Sequence, residues 1–202
     1  MTPPSESNAA FDPDAVLPLL PAYSAKNRRT VIDELAAQIV ARTGEPRPMI
    51  IAVDGHSSSG KTTLSRRLGD AVADAAVLHT DDLAWHHGVF SWDELLRDGV
   101  LPVVRAGKPL DYRPPQWQAR GRTDSITLPG ELAVLFVEGV GASQSSLRAE
   151  YDLVIWVESE EPTRFARDRV RLAAGEMSED DFTSWMADGA AIPYGHGTPR
   201  PA

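Results

Sequence analysis

The chain has 202 residues, which at roughly 100 to 200 residues per domain fits one medium domain, or one domain with an arm, rather than two. Hydrophobic residues make up 42% and charged residues 24%, so a buried core is expected, while 20 Lys and Arg against 29 Asp and Glu give a net charge of −9 that argues against a broad nucleic-acid footprint. There is no cysteine, which excludes disulfide frameworks, thiolate zinc sites, thiol nucleophiles and iron–sulfur ligation.

Residues 1–22 are rich in Pro, Ser, Ala and Asp without a sustained period and read as a mobile N-terminal arm ahead of a domain over 23–188. The opening Met-Thr-Pro-Pro-Ser-Glu-Ser lacks the positive start and apolar stretch of a secretory signal, and no apolar run approaches the roughly 18 residues a membrane span needs, so the chain reads as cytoplasmic with no membrane partner. Val31, Ile32, Leu35, Ile39 and Val40 recur at helical spacing, with Thr30 as N-cap and Gly44 and Pro46 as the stop. Met49 to Val53 is a short apolar run that predicts a strand buried on both faces. Leu64, Leu68 and Val72 then lie four apart on one helical face, and Ala75 to His79 reads as a second strand, which completes a parallel βαβ unit.

Between His79 and Leu132 the βα alternation lapses. A short helix is predicted from Ser91 to Arg97, and short strands at Val100 to Arg105, Tyr112 and Ile126 to Leu128; an insertion of this length, about residues 83–130, reads as functional. Leu132 to Val137 and Leu153 to Val157 are two further apolar strands, with a helix from Ser143 to Glu150 between them. After a helix around Phe182 to Met186, residues 189–202 form a Gly- and Pro-rich tail. The predicted fold is α/β, a three-layer α/β/α arrangement with a mainly parallel sheet.

Gly55-His-Ser-Ser-Ser-Gly60-Lys61-Thr62 matches the phosphate-loop pattern, and it follows a predicted strand and opens a predicted helix. Glycines let successive backbone N–H groups turn inward, and the helix N-terminus adds about half a positive charge, so phosphate oxygens can be held without many basic side chains. Gly55, Ser57, Ser58, Ser59, Gly60, Lys61, Thr62 and Thr63 are the nucleotide-binding candidates. Lys61, one of three lysines in the chain, would reach the β- and γ-phosphates, and the Thr62 hydroxyl would ligate Mg²⁺. The alternative is a glycine-rich turn without a ligand. A guanine-reading Asn-Lys-x-Asp segment is absent, since both asparagines, Asn8 and Asn27, precede the loop.

The second strand ends in His79-Thr-Asp81-Asp82, placing carboxylates at the C-terminal sheet edge where open α/β sheets bind ligands. A carboxylate there can take the proton of an attacking hydroxyl. Asp81 is the candidate base, and Asp82 is left for the acceptor, Mg²⁺ or a helix cap; turn or cap roles for both are the alternative. Glu138 follows the third apolar strand, a position suited to the Mg²⁺ shell or to a solvated strand end. Ser159-Glu-Glu-Pro can cap a helix carrying Arg164, Arg167 and Arg171 on one face, either a lid over the transferring phosphate or a surface paired with Asp168. Asp111, Tyr112 and Arg113, within Arg105 to Trp117, suit ring stacking and hydroxyl binding. Trp85, Trp92 and Trp117 read first as core, and His86-His87 lack the further ligands a metal would need.

With these residues assembled, Asp54 to Thr63, Thr80-Asp-Asp-Leu, Lys108 to Trp117, Val137-Glu-Gly-Val140 and Arg164 to Arg171, the chain resembles the uridine kinase-like branch of the phosphate-loop kinases. The resemblance spans about Met49 to Glu176 and implies ATP- and Mg²⁺-dependent phosphorylation of a hydroxyl, with uridine or cytidine as the familiar acceptors. It also implies a base at Asp81, a sugar-contacting pair near Asp111 and Tyr112, and a mobile arginine lid. Leu83-Ala84 replace the family's aromatic pair, and the family's last parallel strand and adenine-side loop are not evident after residue 189. Two other readings therefore share the motif: an ATP-binding protein without transfer, and a kinase of a sugar, vitamin or nucleoside monophosphate. The expected partner is a small-molecule acceptor, with a second copy of the chain as an option.

Overall fold

The computed structural model describes residues 28–44, 47–87, 90–176 and 179. The predicted arm, the helix around Phe182 to Met186 and the tail lie outside these residues.

Among the described residues four parallel strands form the main sheet: β1 (Met49–Asp54), β2 (Ala75–His79), β5 (Val134–Glu138) and β6 (Leu153–Trp156), in the order β2-β5-β1-β6. Register aligns Val53 and His79 with Glu138 and sets Asp54 beside Trp156, so the polar ends of the apolar strands share one sheet edge. Alternation along the strands divides the core in two. Ile51, Val53, Val134 and Phe136 meet Ile32, Leu35, Ala36 and Ile39 of α1 (Arg28–Val40) together with Leu68 and Val72 at α2 (Lys61–Ala71). Ile50, Ala52, Leu135 and Val137 meet the opposite layer, in which Trp92, Leu96, Leu101 and Trp117 are buried. Each such aliphatic or aromatic side chain contributes about 1.5 to 3 kcal/mol by leaving water.

That opposite layer corrects part of the sequence reading. Val100 to Arg105 is helical: a π-helical turn (Leu95–Val100) leads directly into α4 (Leu101–Arg105). Val100, Leu101 and Val104 face the core at helical spacing rather than alternating, and Pro102 lacks the N–H that a regular turn would use, which the widened turn before it accommodates. The insertion also holds α3 (Thr80–Ala84), a hairpin of β3 (Leu110–Tyr112) with β4 (Ile126–Leu128), and α5 (Pro115–Ala119). The segment before β6 is a 3₁₀ helix (Ser145–Glu150). Thr30 does not cap α1, which is already running at Arg28. Among the described residues no helix is long and apolar enough to cross a membrane.

Candidate active site

The loop between β1 and α2 turns through Ser58 and Gly60, both with positive φ (54° and 104°), and closes with a Ser59 N–H bond to the His56 carbonyl at 3.2 Å. Gly55 has no room for a side chain: a Cβ there would lie 2.1 Å from the Val157 carbonyl oxygen. Gly55→Ala is therefore expected to force the loop away from β6 and to cost about 1 to 3 kcal/mol, read as a lowered urea midpoint. Beneath the loop the buried Asp54 carboxylate accepts from Gly55 N (2.6 Å), Gly141 N (3.0 Å), Ser143 N (2.9 Å) and Ser143 Oγ (2.6 Å). It ties the phosphate loop to the segment after β5, and the sequence signal for it was an acid ending a buried strand before a glycine.

Lys61 is buried and its Nζ donates to the His56 carbonyl at 2.8 Å. Burial holds its ammonium below the ordinary lysine range, against the opposing pull of the Glu138, Asp54 and Asp81 charges. One residue on, Thr62 Oγ1 donates to Glu138 Oε1 at 3.2 Å, and the second oxygen of Glu138 meets His79 Nδ1 at 2.7 Å. That hydrogen bond raises the His79 pKa. Gly139 permits the close approach of the next element, since a Cβ there would fall 1.7 Å from Thr80 Oγ1. Asp81 follows Thr80 in the first turn of α3. Part of its surface faces solvent, while neighbouring groups partly desolvate its carboxyl and so raise its pKa, and the Glu138 charge adds to the rise.

A second wall comes from α6 (Glu161–Ala173). Ser159 does not cap this helix; its Oγ donates to the Ser59 carbonyl at 2.8 Å, and Glu160 occupies the cap position. Arg167 Nη1 donates to the Ser58 carbonyl at 2.9 Å, and the buried Asp168 accepts a short hydrogen bond from Ser58 Oγ. Asp168 thus reaches the phosphate loop, where the sequence had offered it as a partner for Arg164 and Arg171. Burial lowers the His56 pKa and the Arg164 charge adds to the fall, the buried Arg164 Nε having no hydrogen-bond partner among the described residues; the Arg171 charge adds in the same way to the lowering that burial imposes on Lys61.

The insertion reaches the same edge by another route. Trp117 is buried, its Nε1 donates to the Asp82 carbonyl at 2.9 Å, and the Arg122 guanidinium stacks 3.2 Å from its ring centre. Arg122 also lies 3.9 Å from the Asp82 carboxylate, so Asp82 is turned toward the insertion. No local pattern announced Arg122. Trp117→Phe, which leaves the Asp82 carbonyl without its donor, is expected to cost about 1 to 3 kcal/mol in urea unfolding. Trp92 and Trp117 are core, as the sequence suggested, while Trp85 is half-buried. Asp111 is exposed, and Tyr112 lies against Gly99, where a Cβ would be 2.6 Å from its ring. Arg113 closes its own loop through the Asp124 and Thr123 carbonyls at 3.0 and 2.5 Å.

The donor set suits a phosphorylated ligand with a hard cation: a loop turned through Ser58 and Gly60 at the head of a helix, a buried lysine on a backbone carbonyl, and a hydroxyl and carboxylate oxygen 3.2 Å apart. Sheet order and the glycine-bounded loop between β1 and α2 define the phosphate-loop α/β fold. No family model matches the chain. A uridine kinase of Deinococcus deserti is 32% identical over 152 residues, 64% of this chain and 70% of that protein. Two solved structures share the fold. A proposed fructose transport system kinase of a Silicibacter species has a TM-score of 0.51 at 21% identity, covering 79% of this chain and 94% of that one. A possible uridine kinase of Bacillus stearothermophilus has a TM-score of 0.51 at 20% identity, covering 73% and 93%. The chain belongs to the uridine kinase family. It is a kinase, a phosphotransferase with an alcohol group as acceptor.

Proposed function

We propose that the chain transfers the γ-phosphoryl group of ATP, with Mg²⁺, to a hydroxyl of a nucleoside of the uridine or cytidine type or of a related small metabolite. The observation that carries this reading is the meeting of Thr62, Glu138 and Lys61 with the Asp81 carboxylate at one sheet edge. The loop from Gly55 to Thr63 holds the phosphates through its backbone N–H groups other than those of Gly55 and Ser59, which already donate to Asp54 and His56, and Lys61 swings from the His56 carbonyl to the β- and γ-oxygens. Thr62 and Glu138 hold the cation, which supplies charge neutralisation on the phosphate oxygens when bound. Asp81 orients the acceptor hydroxyl and takes its proton as the new P–O bond forms and the bond to the β-phosphate oxygen breaks. On this reading Arg164, Arg167 and Arg171 of α6 serve the phosphate side, and the insertion that carries Asp82, Asp111, Tyr112 and Arg113 serves the acceptor side.

Leu83 is wholly buried and Ala84 carries no ring, which favours a second acceptor class, a sugar, vitamin or nucleoside monophosphate. The test is ADP release from ATP and Mg²⁺ across a panel of nucleosides, sugars, vitamins and monophosphates, with Lys61→Ala as blank. One acceptor should accelerate release well above the blank; ATP binding with no acceleration by any acceptor would favour a nucleotide-binding protein without transfer.

A further inference from the structure

We propose that His79 is a positioning residue for the Glu138 carboxylate, an inference that rests on the kinase reading above. His79 ends β2 directly opposite Glu138 in the β2–β5 register, and its Nδ1 lies 2.7 Å from Glu138 Oε2. An ionised carboxylate only accepts, so Nδ1 carries the hydrogen. The terminal torsion of a glutamate is broad and roughly two-fold, and nothing in the covalent chain fixes it. The bond from His79 holds Oε2 and leaves Oε1 turned to Thr62 Oγ1, 3.2 Å away. The carboxylate is thereby aimed at the hydroxyl with which it would share a cation.

The location fits an orienting role rather than a packing one. The Glu138 side chain is 6% exposed while that of His79 is 45% exposed, so the imidazole is a lever reached from solvent on a buried acid. Its ring stands in the wall of a groove of about 280 Å³ that it shares with Thr62, Arg66 and Asp70. Replacing it removes little core contact. Outer partners of ligating carboxylates typically change metal affinity or activity by 10- to 100-fold when lost.

The test is calorimetric titration of Mn²⁺ into the chain preloaded with a non-hydrolysable ATP analogue, for the wild type, His79→Leu and His79→Asn. Asn keeps an N–H at the reach of Nδ1. His79→Leu is expected to weaken Mn²⁺ binding by about 10- to 100-fold, to leave metal-free affinity for the analogue unchanged, and His79→Asn to recover most of the loss. Should Leu lower the metal-free thermal midpoint, His79→Gln takes its place against Asn: its N–H sits at the reach of Nε2, so it should bind Mn²⁺ as weakly as Leu would. Wild-type Mn²⁺ affinity in His79→Leu, or equal affinities in Asn and Gln, would overturn the positioning role. A wild-type chain that binds no Mn²⁺ beside the analogue would instead overturn the kinase reading itself.

Discussion

Lys61→Ala is expected to lower phosphoryl transfer by about 10² to 10³, the loss typical when one preorganised donor to a developing charge is removed. The lysine is nine-tenths withdrawn from solvent and its ammonium rests 2.8 Å from the His56 carbonyl. In such a site a positive charge is poorly screened and acts strongly on phosphate oxygens. The same burial disfavours the charged form of Lys61, so removing the side chain should change folding stability little. Circular dichroism and a thermal midpoint near the wild-type value, together with the lost transfer, would separate this from unfolding. Transfer at the wild-type rate would take Lys61 out of the machinery.

Asp81→Asn is expected to reduce kcat by about 10² to 10⁴ with nucleotide affinity unchanged, because the amide keeps the shape and loses the ability to accept a proton. Partial desolvation of the carboxyl and the Glu138 charge both raise the Asp81 pKa, which makes it a stronger base than an unperturbed aspartate. Asp82 cannot substitute for it, being held through its carbonyl by Trp117 and facing Arg122. Single-turnover transfer with the identified acceptor reads the chemical step alone. Unchanged transfer in Asp81→Asn would remove the assignment of the base.

The phosphate loop, β1, α2 and β2 were legible because each rests on local information: an apolar run, a helical spacing, a turn that only certain residues allow. β2 spans Ala75 to His79 as read. Strand order was not legible, since no local pattern says that β5 comes between β2 and β1. Val100 to Arg105 misled because a short apolar run rich in Val looks the same locally in a strand and in a buried helix, and the packing of Val100, Leu101 and Val104 at helical spacing decided it. Ser159 misled for a different reason. A serine before a helix can serve the helix or a nearby carbonyl, and here the Ser59 carbonyl, a hundred residues away in sequence, accepts its proton. The contacts that His79 and Asp168 make had no local signal: their partners lie 59 and 110 residues distant.

The phosphoryl-transfer claim is tested most directly by following the label from γ-labelled ATP. With Mg²⁺ and the acceptor found in the ADP-release panel, the label is expected on a hydroxyl of that acceptor, in amounts equal to the ADP formed, with none transferred in the Lys61→Ala blank. Label recovered only as inorganic phosphate, or transfer that persists in the blank, would contradict the account.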